Sequence, residues 1–211
     1  MNYFDHPYLS NSKLSAFERQ LSSRDQYDAS GNYKTGQLVD AFTTEAHRAN
    51  HLDRTVDEYT YTREEWNKGK KMRDVLFADK VCSIIISMSE PQTEIYRDDF
   101  EVEWGSLRFT IGAKCKLDFL SKKLNTAIDV KTTAAKTHEV FVAAVHHLDY
   151  PRQAAWYMNI AGVDKFLFAG ISKEKIPQLF KYWVFRDDEV YKKGFERYNY
   201  LASKYIMLNG N

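Results

Sequence analysis

The chain has 211 residues, 44% of them hydrophobic and 28% charged, with only 9 Gly and 4 Pro; this is packed globular composition and excludes a disordered, collagen-like or low-complexity array. Thirty Lys+Arg against 29 Asp+Glu leave a net charge of +1, so the molecule is not a polycation that coats nucleic acid indiscriminately. No apolar run approaches the ~20 residues of a membrane span, and two cysteines without a CxxC cannot build a four-thiolate zinc site or a cysteine-held iron–sulfur cluster.

Leu9-Ser10-Asn11-Ser12 leads into Leu14, Phe17 and Leu21 at helical spacing, so the first element is a helix capped by Ser10 or Ser12. Ser22 to Tyr33, rich in Ser, Asp, Asn and Gly, reads as a loop. Thr35-Gly36 opens a second helix through about Ala49, with Leu38, Val39, Phe42 and Ala46 as its apolar stripe. Thr62-Arg63-Glu64-Glu65 has capping-box form and starts a third helix to about Lys80. Three helices are thus expected before any strand.

From Gln92 the period becomes two. Thr93–Tyr96, Glu101–Trp104, Leu107–Ile111, Lys114–Leu120 and Asn125–Lys131 read as strands, separated by Asp98-Asp99, Trp104-Gly105 and Ser121-Lys122-Lys123 turns. Helical spacing returns over Thr137 to about His147 and over Pro151 to Ala161, where Pro151 suits a first turn. Lys165–Gly170 and Gln178–Phe185 read as strands, and Asp187 or Asp188 caps a last helix to about Leu208. The expected organisation is one domain, with helices over about 8–80, a sheet core over about 92–185 and a C-terminal helix over about 187–208.

Between Ile111 and Lys136 six lysines accompany only two acids, Asp118 and Asp129. Period two puts Asp129 and Lys131 on one strand face, and the short turn brings Asp118 alongside, so two carboxylates and an ammonium fall within a few ångströms. Carboxylate oxygens are the ligands magnesium prefers, a bound metal acidifies its water, and a lysine holds that water or the developing charge; together they suit phosphodiester hydrolysis. A surface charge ladder across a hairpin fits the same spacing. The apolar neighbours Leu117, Phe119, Ile128 and Val130 argue for a partly buried position instead.

Other motifs carry less. His47 and His51 are spaced i, i+4 but lack the Glu of a zinc-binding H-E-x-x-H, and read as a solvated helix face. His146-His147 complements a helix C-terminus. No glycine-rich phosphate loop, dinucleotide fingerprint or Gly-x-Ser-x-Gly occurs, so no nucleotide cofactor is expected, and Cys82 and Cys115 read as small buried hydrophobes.

Asp118, then Asp129-Val130-Lys131-Thr132-Thr133, then Tyr150-x-x-Gln153-Ala154-Ala155-x-Tyr157 resemble the PD-(D/E)xK nuclease superfamily, specifically its exonuclease VIII (RecE)-like branch, related to the RecB nuclease domain and more distantly to lambda exonuclease. Leu9-Ser10-x-Ser12-x-Leu14 and Gly36-Gln37-Leu38-Val39-Asp40-Ala41-Phe42-Thr43-Thr44-Glu45 resemble that branch's opening and second helices, so the likeness spans roughly residues 8–160. It implies an α/β fold, a PD-(D/E)xK restriction-endonuclease-like core with a mixed sheet flanked by helices on both faces.

The resemblance further implies that Asp118 and Asp129 ligate Mg2+, with Mn2+ able to substitute, that the Val130 carbonyl adds a ligand, and that Lys131 positions the attacking water. Gln153 and Tyr157 match the family's Q-x-x-x-Y pair. Asp40 stands where the family helix usually has a metal-binding His, which leaves its role as a ligand open. Glu94 is read as an exposed strand residue that could add a carboxylate, and Lys114, Lys116, Lys122, Lys123 and Arg152 as DNA-backbone contacts. The implied function is an exonuclease of phage or prophage recombination type acting on double-stranded DNA ends, with a single-strand annealing protein as partner and a homo-oligomeric ring as assembly. A non-catalytic DNA-binding or interaction module of the same fold and an endonuclease are the alternatives. With no signal-peptide pattern at Met1-Asn2-Tyr3-Phe4-Asp5-His6 and so few cysteines, the expected place is the cytoplasm, in a bacterial host cell or phage-encoded.

Overall fold

Ser10 accepts the Lys13 amide at 3.3 Å and caps helix α1 (Asn11–Ser22), which buries Leu14 and Phe17. The computed structural model of the chain describes residues 2–22 and 30–210. Helix α2 (Ser30–Thr43) starts and ends earlier than its spacing predicts, and most of the expected preceding loop, 23–29, lies outside the described residues. The chain then leaves the helix instead of continuing to Ala49. A 3-10 turn (Ala46–Arg48) leads into a small sheet of two-residue strands, β1 (Ala49–Asn50), β2 (Thr55–Val56) and β3 (Tyr59–Thr60). Strands this short show no periodicity to read.

Thr62 and Glu65 form the expected capping box at 3.2 and 2.8 Å, and α3 (Arg63–Ala78) follows. Asp79 then accepts the Cys82 amide at 3.0 Å and starts a separate helix, α4 (Lys80–Ser87). Among the described residues, four α-helices and three short strands, not three helices, therefore precede the large sheet.

That sheet has the order β4-β5-β6-β7-β8, from β4 (Glu90–Trp104), β5 (Leu107–Ser121), β6 (Thr126–Thr133), β7 (Lys165–Ser172) and β8 (Leu179–Phe185). All neighbours are antiparallel except β6 and β7, which are parallel and joined through α5 (His138–His147) and α6 (Tyr150–Ala161). The five strands expected before Lys131 are three long ones. Asp98-Asp99 is not a turn: the β4–β5 register shifts between Arg97 and Phe100, a bulge that absorbs both residues. Helix α7 (Glu189–Asn209) closes the chain against α6. Asp188 sits at its N-cap position, but its carboxylate accepts the Phe185 amide at 3.0 Å, outside the helix.

β7 is buried from Phe166 to Ser172 and alternates between two layers. Phe166 and Phe168 pack with Phe141, Trp156 and Tyr198 of α5, α6 and α7, whereas Leu167, Ala169 and Ile171 pack with Val39, Met72, Leu76 and Ile85 of α2, α3 and α4. β6 alternates likewise, Ala127 joining the first cluster and Ile128 the second, so period two sends Asp129 towards α6. Each such large apolar side chain contributes about 1.5–3 kcal/mol, which makes the middle of the sheet a firm mount. α6 is fixed from behind as well: a Cβ at Gly194 of α7 would come within 2.1 Å of the Pro151 carbonyl oxygen. Among the described residues, no helix is long and apolar enough to cross a membrane.

Candidate active site

Pairing between β5 and β6 stops at Phe119↔Ile128, although both strands continue past it. In the gap Asp118 Oδ2 accepts the Val130 N–H at 2.7 Å, so a side-chain oxygen replaces the ladder carbonyl and the strands part around a carboxylate. Asp129, the next residue of β6 after Ile128, is 5% exposed. Its Oδ1 accepts from Gln153 Nε2 of α6 at 2.5 Å, and its Oδ2 lies 2.7 Å from Lys131 Nζ. Asp129 Oδ2 is buried, and the Lys131 ammonium is its charged partner. Lys131 Nζ also stands 5.2 Å from the centroid of the Tyr150 ring.

Charge and burial set the protonation of this cluster. Burial, then the charge of Asp129, raise the Asp118 carboxyl well above the ordinary carboxylate range, outweighing Lys131 and the Val130 amide. Burial alone would lower Lys131, but Asp129, Tyr150 and Asp118 hold its ammonium above the ordinary lysine value. The Tyr157 hydroxyl is raised by burial and by the charge of Asp129.

Asp40 lies on α2 with both oxygens engaged. Oδ1 accepts from Thr44 Oγ1 at 2.9 Å and from Gln92 Nε2 at 3.1 Å, and Oδ2 from Arg48 Nη1 at 3.1 Å. Arg48 also pairs with Glu45 at 2.7 Å, with Gln37 at 2.7 Å and with Asp57, and so draws three carboxylates together. Gln92 has φ 49°, a left-handed conformation that costs a non-glycine residue on the order of 1–3 kcal/mol. Arg48, Thr44 and Gln92 escaped the sequence reading. Arg48 lies beyond the end of α2, where no helical spacing links it to Asp40, and nothing in Pro91-Gln92-Thr93 announces a bond to residue 40. Tyr150 was legible only as the first letter of its motif.

Two of the five basic candidates are corrected. Lys114 is 2% exposed, its ammonium donating to the carbonyls of Tyr3 and His6 (2.7 Å to the latter), and Arg152 is buried against Asp149, Asn11 and Ser15. Both anchor the N-terminal segment internally and present no cation to a DNA backbone. Lys116 is half-buried, 3.8 Å from Glu94, while Lys122 and Lys123 are exposed in the β5–β6 turn. Glu94 is exposed and accepts from the Tyr96 hydroxyl at 2.9 Å. His47 lies in the 3-10 turn and His51 beyond β1, so the two share no helix face, and the His51 ring stacks on Phe42 at 5.9 Å. Cys82 and Cys115 are buried and free.

The donor set suits a hard divalent cation. Asp118 and Asp129 offer carboxylate oxygens from adjoining strands, and the Val130 carbonyl belongs to the same stretch of backbone. Among the described residues no three His, Cys, Asp or Glu side chains gather closely enough to hold a metal by themselves, so a divalent ion here would take its remaining ligands from backbone, water or substrate oxygens.

A family model, described as a PDDEXK-like domain of unknown function (DUF3799), matches residues 13–210. No curated protein matches the chain. Among solved structures, a candidate exonuclease from Eubacterium rectale is similar with a TM-score of 0.66 at 15% identity, over 100% of this chain and 88% of that one. A phage-related exonuclease from Haemophilus somnus 129PT has a TM-score of 0.45 at 14% identity, over 96% and 94%. An alkaline exonuclease from Laribacter hongkongensis has 0.37 at 16%, over 95% and 91%. The first of these likenesses establishes a shared fold; the other two are too distant to add to it.

Proposed function

The chain belongs to the PDDEXK-like family DUF3799, and from that premise we propose that it is a metal-dependent deoxyribonuclease hydrolysing phosphodiester bonds from duplex DNA ends. The observation that carries the reading is the convergence of Asp118, Asp129, Lys131 and Gln153 where β5 and β6 part. A divalent ion, Mg2+ or Mn2+, would neutralise phosphate charge and acidify a water. Asp118, Asp129 and the Val130 carbonyl would hold it. Lys131, kept protonated by Asp129, orients the attacking water and offsets charge developing on the phosphate. Gln153 fixes the rotation of the Asp129 carboxylate, and Tyr157 lines the same side of α6 four residues on. Lys116, Lys122 and Lys123 remain as backbone contacts. The resemblance extends this reading to phage-type recombination, with a single-strand annealing protein as partner and a ring-shaped homo-oligomer.

A time course on linear and closed-circular duplex DNA, in Mg2+, Mn2+ or EDTA, tests it. Metal-dependent loss of the linear substrate alone is expected. Cutting of the closed circle would make the protein an endonuclease. Tight duplex binding without cleavage would make it a non-catalytic module, the alternative motivated by Asp40 in the place of the family's usual His.

A further inference from the structure

Gln92 is the one residue of the large sheet, among those described, that combines a left-handed backbone with a side chain reaching another layer. It falls between the pairs Pro91↔Phe119 and Thr93↔Leu117, so the β4–β5 register sets it opposite Asp118. The ladder is intact on both sides, so the strand does not need the φ of 49° in order to turn or to end. The unusual conformation coincides instead with the direction of the side chain. Its amide Nε2 donates to Asp40 Oδ1 at 3.1 Å and to Thr44 Oγ1 at 2.6 Å, and Thr44 Oγ1 in turn reaches Asp40 Oδ1 at 2.9 Å. One amide thus ties β4 to two residues of the α2 end, 52 and 48 positions away in sequence. Backbone strain kept where a relaxed residue would serve the strand equally marks a side chain whose placement matters.

We infer that Gln92 is a positioning residue: from its place opposite Asp118 in the β4–β5 register it holds the Asp40 carboxylate in one orientation, and so sets the polar wall that a divalent ion on Asp118 and Asp129 would face. The inference rests on the nuclease reading and goes beyond it, because Gln92 touches neither candidate ligand strand's carboxylate and acts through Asp40. Partners of this kind, bonded to a group at a metal site and not to the metal, change affinity by about 10–100-fold when removed.

The test uses the full chain and Mn2+ alone as probe, by calorimetric titration, beside thermal melts. Gln92→Asn and Gln92→Gly both tolerate the left-handed backbone but cannot bridge to Asp40. Each is expected to melt close to the wild type while binding Mn2+ about tenfold more weakly, with cleavage reduced in parallel. Thr44→Val, which leaves β4 untouched and removes the shared hydroxyl, is expected to weaken Mn2+ binding in the same direction. A merely structural tie between α2 and β4 gives the opposite pattern, lowered melting with unchanged Mn2+ affinity, and overturns the inference while leaving the nuclease reading intact. A wild-type chain that neither binds Mn2+ nor cleaves DNA overturns the nuclease reading itself, and the inference with it.

Discussion

Gln153 Nε2 donates to Asp129 Oδ1 at 2.5 Å, joining helix α6 to strand β6 at the point where β5 leaves it. This contact sets the geometry of the whole cluster, because the other oxygen of the same carboxylate is the one that faces Lys131.

Replacing that donor with an acceptor should be costly. Gln153→Glu puts a second carboxyl against Asp129, and the two cannot both ionise at hydrogen-bond distance in a buried site. The variant is expected to melt below the wild type by a margin that widens from about pH 5 to about pH 8, and to lose cleavage. Melting curves at the two pH values check this; equal stability at pH 8 would contradict the assigned contact.

Asp118 gives a pH signature. Its carboxyl is raised in the folded chain, so the folded state holds a proton that the unfolded state releases near the ordinary value of 3.8. Its contribution to stability is full below that value and is lost as pH rises towards the raised one. Asp118→Asn removes this loss. In EDTA, the melting temperature of the variant minus that of the wild type is expected to grow between about pH 4 and about pH 8, and added Mn2+ should close the difference by stabilising the wild type alone.

Gly194→Ala tests how α6 is held. The new Cβ would meet the Pro151 carbonyl at 2.1 Å, a backbone contact that cannot rotate away. A destabilisation of about 1–3 kcal/mol is expected from such overpacking, with a fall in cleavage as Gln153 shifts. Full activity and an unchanged melting temperature would show that the helices separate freely.

The sequence displayed the parts of this arrangement that depend on local rules. Thr62 and Glu65 announced a capping box because both partners lie within one turn, and the Asp118, Asp129 and Lys131 spacing announced a cluster because strand period and a short turn fix it. What failed depends on distant packing. Lys114 and Arg152 look like surface cations until the N-terminal segment is folded over them, and Asp98-Asp99 looks like a turn because two acids seldom share a strand bulge. The same holds for Asp40, whose partners Arg48 and Gln92 come from outside its helix.

Arg48 balances Asp40, Glu45 and Asp57, so Arg48→Met leaves three carboxylates facing one another. Because the cluster is partly open to solvent, a loss of about 1–3 kcal/mol is expected, and Arg48→Lys should recover little of it without the forked geometry. Asp40→His cannot accept from Arg48 and Gln92 together and is expected to lower both stability and cleavage. Activity at or above the wild-type level in Asp40→His would instead identify Asp40 as a weakened ligand.

The most direct test is single-turnover cleavage of an end-labelled linear duplex in Mg2+ by the wild type, Asp129→Ala and Lys131→Ala, with duplex binding measured in EDTA. Asp129 and Lys131 form one ion pair at the parted strands, and both variants are expected to bind DNA but not to cleave it. Cleavage by Lys131→Ala at the wild-type rate would contradict the placement of the chemistry at this site.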